Sequence, residues 1–252
     1  MLSDKQIEKI EEKYLKKFFH LMKYAEDEMM IGFQTKEKIK DDWQGKYGTE
    51  ISSFAIGAER IIYALMNGKG IGQPNSCPVG SNMFFEVEDA FIHIDLKTVQ
   101  TRNIGDITRS IFVGENQNSY KGKMIVNTKK GMVEREYNPA LPTFYNKGKE
   151  NEKICLSYFI TILYEDENLN ILNINIVCMP NGELEKHYQT RTLQAGKNPG
   201  KTRFRFSELP NFELLDDPSS RIKVIYFNKK MKDEYKNKLK LYENIHDKQK
   251  DN

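Results

Sequence analysis

A carboxylate and an ammonium stand two residues apart in the otherwise apolar segment AFIHIDLKTVQ. Because side chains alternate across a β-strand, Asp95 and Lys97 would share one face of such a strand, while Ile94 and Leu96 would take the other. Burying a charge is costly unless the charge is paired or binds a metal ion. An isolated D-x-K is most often a surface ion pair at a strand end. The alternative is a site where an acid binds a cation beside an ammonium.

The stretch Ser81–Gln100 predicts a β-hairpin that would hold this pair. Two apolar runs flank Glu88 and Asp89, and this acidic pair is expected at the bend. Antiparallel pairing about that bend sets Asp95 opposite Asn82. The hairpin therefore brings the D-x-K strand beside a residue that carries a neutral amide rather than an acid.

This hairpin resembles the active-site hairpin of PD-(D/E)xK nucleases, a superfamily that includes many type II restriction endonucleases. The segment IDLKT is similar to the second motif of several such enzymes. The resemblance implies that Asp95 anchors Mg²⁺ and that the Leu96 carbonyl is a further ligand. It also implies that Lys97 orients or activates the attacking water. The strong match is confined to the hairpin.

Asn82 departs from the family pattern, because the first acid of the family is expected at or beside this position. No Asp or Glu lies between Gly70 and Met83. An amide oxygen is a weaker ligand for a hard cation than a carboxylate. Three explanations stay open: the position naturally uses Asn, the first ligand lies elsewhere, or this chain is an inactivated Asp-to-Asn variant.

Glu59 is a further candidate, because it interrupts the apolar helical segment GAERIIYAL. It either lies on a solvated face, paired with Arg60, or resembles the Glu that PD-(D/E)xK nucleases often carry on the helix before the hairpin. With the second interpretation, the predicted catalytic residues are Asp95, Lys97, Asn82 and Glu59. The predicted Mg²⁺ ligands are then Asp95, Leu96, Asn82 and Glu59.

Two polar segments, 100–123 and 183–206, are candidates for contact with double-stranded DNA. Asn and Gln can read adenine edges, while Arg and Lys can read guanine or hold phosphate. In the resembling nucleases, the segment after the D-x-K strand meets DNA beside the scissile phosphate. The alternatives are an ordinary polar loop for the first segment and a solvated basic hairpin for the second. The candidate DNA-binding residues are Gln100, Arg102, Asn103, Asn116, Gln117, Asn118, Tyr120, Lys121, Arg191, Gln194, Lys197, Asn198, Lys201, Arg203 and Arg205.

The distribution of charge favours an anionic partner for the second half of the chain. The net charge is only +3, yet residues 186–240 carry 14 Lys and Arg against 6 Asp and Glu. Cutting both strands of a symmetric DNA site requires two catalytic centres. A homodimer with twofold symmetry is the simplest way to supply them.

Length and composition predict one globular domain over 1–252, with 38% hydrophobic and 30% charged residues. The expected fold class is α+β, with an α/β/α restriction-endonuclease-like core, a mixed central sheet flanked by helices and a β-rich DNA-recognition part. The expected parts are a helical N-terminus at 1–68, the catalytic hairpin at 81–100, sheet and recognition segments at 100–227, and a basic C-terminal helix or tail at 228–252.

The cysteines and the hydropathy pattern favour a cytoplasmic protein, and the resemblance to restriction endonucleases implies a bacterial or archaeal one. The three cysteines form no C-x-x-C motif or Cys/His cluster, which fits thiols in a reducing compartment. The N-terminus is not a signal peptide, and no apolar run approaches the ~20 residues of a membrane span. No contact with a membrane is expected.

Taken together, the residues predict a type II restriction endonuclease that uses Mg²⁺ to hydrolyse double-stranded DNA at a specific sequence. Three alternatives stay open: a DNA-binding protein of the same fold that has lost catalysis, a DNA repair nuclease, and an unrelated α+β protein whose D-x-K is accidental. Asn82 favours the first alternative, and the long polar segments favour sequence readout over repair.

Overall fold

A computed structural model of the chain describes residues 2–38, 54–68, 70–74, 80–129 and 131–249. The stretch 39–53 of the predicted helical N-terminus, and Cys77, lie outside the described residues. The strands, in chain order, are β1 Gln73–Pro74, β2 Met83–Glu86, β3 Ala90–Gln100, β4 Ile111–Val113, β5 Gly122–Thr128, β6 Gly131–Tyr137, β7 Phe144–Tyr145, β8 Lys153–Tyr164, β9 Ile171–Met179, β10 Leu193–Ala195, β11 Thr202–Phe204 and β12 Ile222–Phe227.

A mixed sheet of seven strands forms the centre of the fold. Its order is β1-β2-β3-β8-β9-β12, and β7 also pairs with β8. Strands β3 and β8 run parallel, whereas β2 with β3, β8 with β9 and β9 with β12 run antiparallel. Strand β9 is buried along its whole length and β8 along all but its first residue. Such continuous burial explains why β8 is mostly apolar, whereas β9 alternates two buried asparagines, Asn173 and Asn175, with its apolar residues.

The D-x-K strand lies inside this sheet, paired on both sides. Its hairpin with β2 has the predicted bend, where the Val87 amide donates to the Ala90 carbonyl at 3.0 Å. Met83 pairs with Ile94, so the same register continued by one residue sets Asn82 opposite Asp95. The predicted hairpin and its register are confirmed.

Six helices surround the sheet in the part of the chain that the structure describes. The first begins at a capping box, in which Ser3 and Gln6 bond reciprocally to each other's backbone amides. Its apolar residues recur at helical spacing, and Ile7, Tyr14 and Phe18 are buried. The helices are α1 Asp4–Tyr24, α2 Glu26–Lys38, α3 Phe54–Gly68, α4 Glu185–Tyr188, α5 Asp233–Lys238 and α6 Lys240–Lys248.

Two smaller sheets lie outside the central one. Strands β10, β11 and β4 form a three-stranded antiparallel sheet, and β5 pairs with β6 in a separate hairpin. Both polar segments predicted to contact DNA contribute to the three-stranded sheet, because β4 comes from the first segment and β10 and β11 come from the second. Of the helices in the described residues, none is long and apolar enough to cross a membrane.

The basic C-terminal segment forms two helices, and it is more than a solvated tail. Leu239 and Tyr242 are fully buried, and the Tyr242 hydroxyl donates to the Ile107 carbonyl. The sequence could not reveal this packing, because the apolar positions are few and lie among lysines.

Candidate active site

Asp95 and Lys97 lie on the same strand, β3, in the part of it that follows Ile94 and no longer pairs with β2. Asp95 pairs in the parallel ladder with Phe159 of β8. Its side chain is only 6% exposed, and that of Lys97 is 18% exposed. The Lys97 ammonium makes an ion pair with Asp95 Oδ2. The common interpretation of D-x-K as a surface ion pair at a strand end is therefore wrong here, because the pair is largely buried.

The Asp95 carboxylate has two unequal oxygens. Oδ1 accepts a hydrogen bond from the Gln117 amide nitrogen at 2.9 Å. Oδ2 is in direct contact with the Lys97 ammonium. Burial raises the pKa of the Asp95 carboxyl above its usual value, and the Lys97 ammonium offsets part of the increase. The buried anion thus has capacity for a further positive partner.

Asn82 connects this strand to helix α3. Its Oδ1 accepts from the Leu96 amide at 2.7 Å, at the point where β2 no longer pairs with β3. Its Nδ2 donates to Glu59 Oε1 at 3.0 Å. Glu59 is half-buried and projects from α3, so the helix before the hairpin does bring an acid to the site. Asn82 thus joins Glu59 of α3 to the backbone of the strand that carries Asp95 and Lys97.

The donor atoms of this cluster suit a hard cation. In the part of the chain that the structure describes, no group of three or more His, Cys, Asp or Glu side chains is placed to hold a metal ion. Asp95 and Glu59 supply two carboxylates, and Asn82 supplies an amide oxygen. Mg²⁺ keeps several waters and commonly takes only one or two carboxylates. The residues present therefore fit Mg²⁺. They supply one carboxylate fewer than they would if position 82 were an acid.

His93 contacts Ser81, the residue that precedes Asn82. Sequence reasoning missed this supporting role. Its ring nitrogens lie 3.0 Å from Ser81 Oγ and 2.9 Å from the Tyr145 hydroxyl, and Phe84 stacks on the ring. Burial lowers the pKa of His93 to about 4, so the imidazole is neutral at neutral pH. The available signal was its position two residues before Asp95, on the same face of the strand.

Several candidate DNA-binding side chains lie at the surface beside the pair. A cavity of about 430 Å³ has Asn103 on one side and Lys197, Asn198 and Lys201 among its other lining residues. The two predicted segments therefore converge here. The exposed candidates are Arg102, Asn103, Asn116, Lys121, Arg191, Lys197, Asn198 and Lys201.

Phe112 of β4 joins this surface to the catalytic pair. The Lys97 ammonium lies 5.5 Å from the centre of the Phe112 ring, and the Lys201 ammonium lies 5.3 Å from it. Both distances are within the range of a cation–π contact. One aromatic ring thus contacts the lysine of the active site and a lysine of the β10–β11 loop.

Three candidates in the first segment face inward. Asn118 is fully buried and donates to the Gly114 carbonyl and to the Tyr137 hydroxyl. Tyr120 is also fully buried, and its hydroxyl donates to the Gln189 carbonyl. Gln117 points at Asp95 and Lys97. The predicted DNA contacts of Asn118, Tyr120 and Gln117 are therefore not supported, because their polar groups are used inside the protein.

Five other candidates have their polar groups bonded within the protein. Arg203 donates to Ser110 and Asp106 and is only 11% exposed. Arg191 makes a two-bond pair with Glu213. These contacts hold β10, β11 and their neighbours in place, so Arg203 is corrected from a DNA contact to a structural residue. The remaining three are Gln100, which accepts from Arg102, Gln194, which donates to Ser110, and Arg205, which donates to the carbonyls of residues 190 and 191.

The fold is similar to that of restriction endonucleases of known structure. The chain is similar in structure to the restriction endonuclease BglI bound to its DNA recognition sequence, with a TM-score of 0.65 and 12% identity over 88% of this chain and 91% of that chain. It is also similar to the tetrameric restriction endonuclease SfiI bound to cognate DNA, with a TM-score of 0.66 and 15% identity over 91% and 88%. The predicted α+β fold class is confirmed.

Sequence comparison then identifies the family. Residues 4–168 match the model of the N-terminal domain of the type II restriction enzyme MwoI, and residues 171–227 match the model of its central domain. The chain belongs to the MwoI family of type II restriction enzymes. No curated protein sequence matches it significantly. The prediction of a type II restriction endonuclease is confirmed at the level of family and fold.

Proposed function

We propose that this protein is an Mg²⁺-dependent, site-specific endodeoxyribonuclease with a PD-(D/E)xK active site, acting on double-stranded DNA in the cytoplasm of a bacterial or archaeal cell. The observation that carries the proposal is the Asp95–Lys97 pair. It is largely buried on β3, and burial raises the pKa of the Asp95 carboxyl. Buried ionisable pairs with perturbed pKa values are found preferentially at functional sites.

Asp95 and Glu59 would hold Mg²⁺, together with the Leu96 carbonyl and the Asn82 amide. The N–H and C=O of one residue point to the same side of a strand, and the Leu96 amide is bonded to Asn82 on the β2 side. The Leu96 carbonyl therefore faces the side where β2 has ended. When bound, the ion neutralises phosphate charge and lowers the pKa of water.

Lys97 supplies the second part of the chemistry. Its ammonium is shared between Asp95 Oδ2 and Gln117 Oε1, and its position over the Phe112 ring keeps it at the edge of the site. From there it can orient a water molecule and stabilise the negative charge that develops on the phosphate. Such prearranged electrostatic groups are commonly worth about 10²–10³ in rate.

Asn82 makes the site less dependent on a cation. An Asp at this position would stand beside Glu59 as a second carboxylate, and the two like charges would require a cation between them. Asn82 instead donates to Glu59 and satisfies it. Weaker Mg²⁺ binding and slower cleavage than in Asn82→Asp follow from this difference.

DNA binding involves the surface where the two polar segments meet. Lys197, Asn198 and Lys201 contact the duplex from the β10–β11 loop, and Arg102 and Asn103 contact it from the segment after the D-x-K strand. Two copies of the chain form a homodimer that presents two centres to the two strands. The likeness of the fold to BglI and SfiI, both solved with DNA, supports the binding of DNA.

Alanine variants of the pair test the proposal. Lys97→Ala and Asp95→Ala should each lower the rate of Mg²⁺-dependent cleavage at least about 100-fold, while a gel shift with Ca²⁺ still shows DNA binding. Lys147→Ala, at an exposed lysine paired with Glu183, is the matched control and should cleave normally. Unchanged cleavage in Lys97→Ala would refute the assignment.

A second candidate is a DNA-binding protein of this fold that no longer cuts. The Asn82–Glu59 hydrogen bond favours it, because it satisfies the acid of α3 without a metal ion. The same cleavage and gel-shift experiments separate the two functions. Sequence-specific binding with intact DNA, in this chain and in Asn82→Asp, would select the binding protein.

A further inference from the structure

We infer that Gln117 is a positioning residue that fixes the orientation of Asp95 and Lys97 for cleavage. The inference rests on the proposed function for its catalytic meaning. The structural part stands on three hydrogen bonds of one amide group. The sequence indicates only a polar loop residue here, with DNA contact as the natural expectation.

The amide of Gln117 meets both members of the catalytic pair. Its Nε2 donates to Asp95 Oδ1 at 2.9 Å, and its Oε1 accepts from Lys97 Nζ at 3.2 Å. The same Oε1 accepts from the Gly114 amide at 2.8 Å. Only this orientation of the amide satisfies all three partners, because two are donors and the third is a carboxylate. The chemistry of the surroundings therefore calls for Gln rather than Glu.

The turn that carries Gln117 is fixed by its own hydrogen bonds. The backbone amide of Gln117 donates to the Gly114 carbonyl at 3.1 Å, and the side chain of buried Asn118 donates to the same carbonyl at 3.0 Å. The Ala140 amide donates to the Glu115 carbonyl at 2.7 Å. A side chain on such a supported turn can hold its partners within the small tolerance that catalysis demands.

The same turn also packs against the strand that approaches Asn82. A Cβ atom placed on Gly80 would lie 1.9 Å from Asn116 Cγ, so the backbone at Gly80 and the turn are in direct contact. The turn therefore touches the site from two directions, through Gln117 at Asp95 and Lys97 and through Asn116 near Asn82. This location is where a support for the whole constellation is expected.

The role of Gln117 follows from its hydrogen bonds to Asp95 Oδ1 and to the Lys97 ammonium. By donating to Oδ1 of Asp95, it leaves Oδ2 in contact with the Lys97 ammonium. By accepting from Lys97, it fixes the position of the ammonium beside the carboxylate. Without Gln117, the pair would be free to change its geometry, and cleavage would slow without a loss of DNA affinity. Supporting groups of this kind are typically worth about 10–100-fold.

Substitution by Glu tests the inference without relying on cleavage. Gln117→Glu keeps the size of the side chain but replaces the donor to Asp95 with an oxygen and adds a like charge. Asp95 and Lys97 should then leave the arrangement that the Gln117 amide holds. The measurement is a crystal structure of the metal-free variant beside the parent. Gln249→Glu is the control, because Gln249 also bonds at both ends of its amide, to Val224 of β12, far from the site in the fold.

Cleavage by Gln117→Met supplies the second readout. Single-turnover cleavage with Mg²⁺, in this chain or in the Asn82→Asp background, should fall about 10–100-fold while the Kd for DNA with Ca²⁺ stays unchanged. An unaltered arrangement of Asp95 and Lys97 in Gln117→Glu, or a loss of DNA affinity equal to the loss of rate in Gln117→Met, would overturn the inference. If the pair moves as expected but neither background cleaves DNA, the positioning stands and the proposed function fails.

Discussion

Two clusters of buried charge in this protein have opposite designs. One joins Arg221 to Glu8 and Glu11 of α1, and all three side chains are fully buried. The other joins Asp95 to Lys97, which stays 18% exposed. The first cluster is closed and the second is open toward solvent at its lysine.

The closed cluster satisfies every charged atom that it contains. Its two carboxylates also accept from backbone amides, Glu8 from Leu214 and Glu11 from Asn181. Such complete pairing is what a buried charge needs to be tolerated. Arg221 donates to Glu8, Glu11, the Asn211 carbonyl, the Tyr188 hydroxyl and Cys178 Sγ.

The open cluster pairs one buried carboxylate with one lysine that still reaches solvent. Burial raises the pKa of Asp95, as it also raises that of Glu11 in the closed cluster. An acid whose pKa is raised on folding destabilises the fold once it ionises, so Asp95 costs stability at neutral pH. The two clusters therefore differ in the access of solvent to their cation, which is excluded at Arg221 and retained at Lys97.

The largest effect is expected from breaking the closed cluster. Arg221→Met would leave two buried carboxylates without their cation and should lower the free energy of unfolding by about 3–5 kcal/mol. Urea unfolding measures this change. Lys229→Met, at an exposed pair with Asp247, is the control and should leave the midpoint of urea unfolding unchanged. Equal effects of the two substitutions would erase the distinction between the closed cluster and a surface pair.

His93 provides the next largest effect, beside the open cluster. Its pKa is about 4 in the folded protein against 6.5 in the unfolded chain. The unfolded state therefore binds more protons between these values, so stability is complete above pH 6.5 and falls as the pH drops toward 4. The loss attributable to His93 should reach about 3 kcal/mol. Comparing urea unfolding from pH 7 to 4 with that of His93→Phe isolates it, and identical pH slopes would contradict the neutral buried imidazole.

A smaller effect of opposite sign is expected at the catalytic pair. The double variant Asp95→Asn with Lys97→Met removes both charges while keeping similar volumes. It should raise the free energy of unfolding at pH 7 by about 1 kcal/mol or more, and it should not cleave DNA. Thermal and urea unfolding of the double variant beside the parent check the sign. A loss comparable to that of Arg221→Met would place both clusters in the structural class.

The smallest effect concerns the lysine on the other side of the Phe112 ring. Lys201→Ala should weaken DNA binding and reduce the slope of log K against log salt by about 1, as expected when one phosphate contact is lost. Fluorescence anisotropy in Ca²⁺ over a range of salt measures both quantities. Lys147→Ala should keep the parental slope. An unchanged slope in Lys201→Ala would remove the β10–β11 loop from the phosphate contacts.

The hairpin could be predicted from the sequence because its information is local. Alternation sets the shared face of Asp95 and Lys97, and the acidic bend sets the register that brings Asn82 opposite Asp95. The closed cluster could not be predicted, because Arg221 meets Glu8 and Glu11 across more than 200 residues of chain.

The polar segments were harder to interpret, because their composition does not say which side chains face inward. Gln117, Asn118 and Tyr120 look like a DNA-contacting run, yet their polar groups bond within the protein. Arg203 likewise looks like a phosphate contact, and it is used to fix β11 to Ser110 and Asp106. Only the tertiary structure separates these residues from Lys197 and Lys201.

The most direct measurement is a digest of phage DNA with Mg²⁺, with this chain beside Asn82→Asp and Asn82→Asp/Lys97→Ala. Discrete bands are expected from Asn82→Asp, slower or fainter bands of the same sizes from this chain, and intact DNA from the variant that lacks Lys97. Bands of the same sizes identify one recognition site. Intact DNA in all three lanes, or bands that persist without Lys97, would contradict the assignment of the Asp95–Lys97 pair as the catalytic centre.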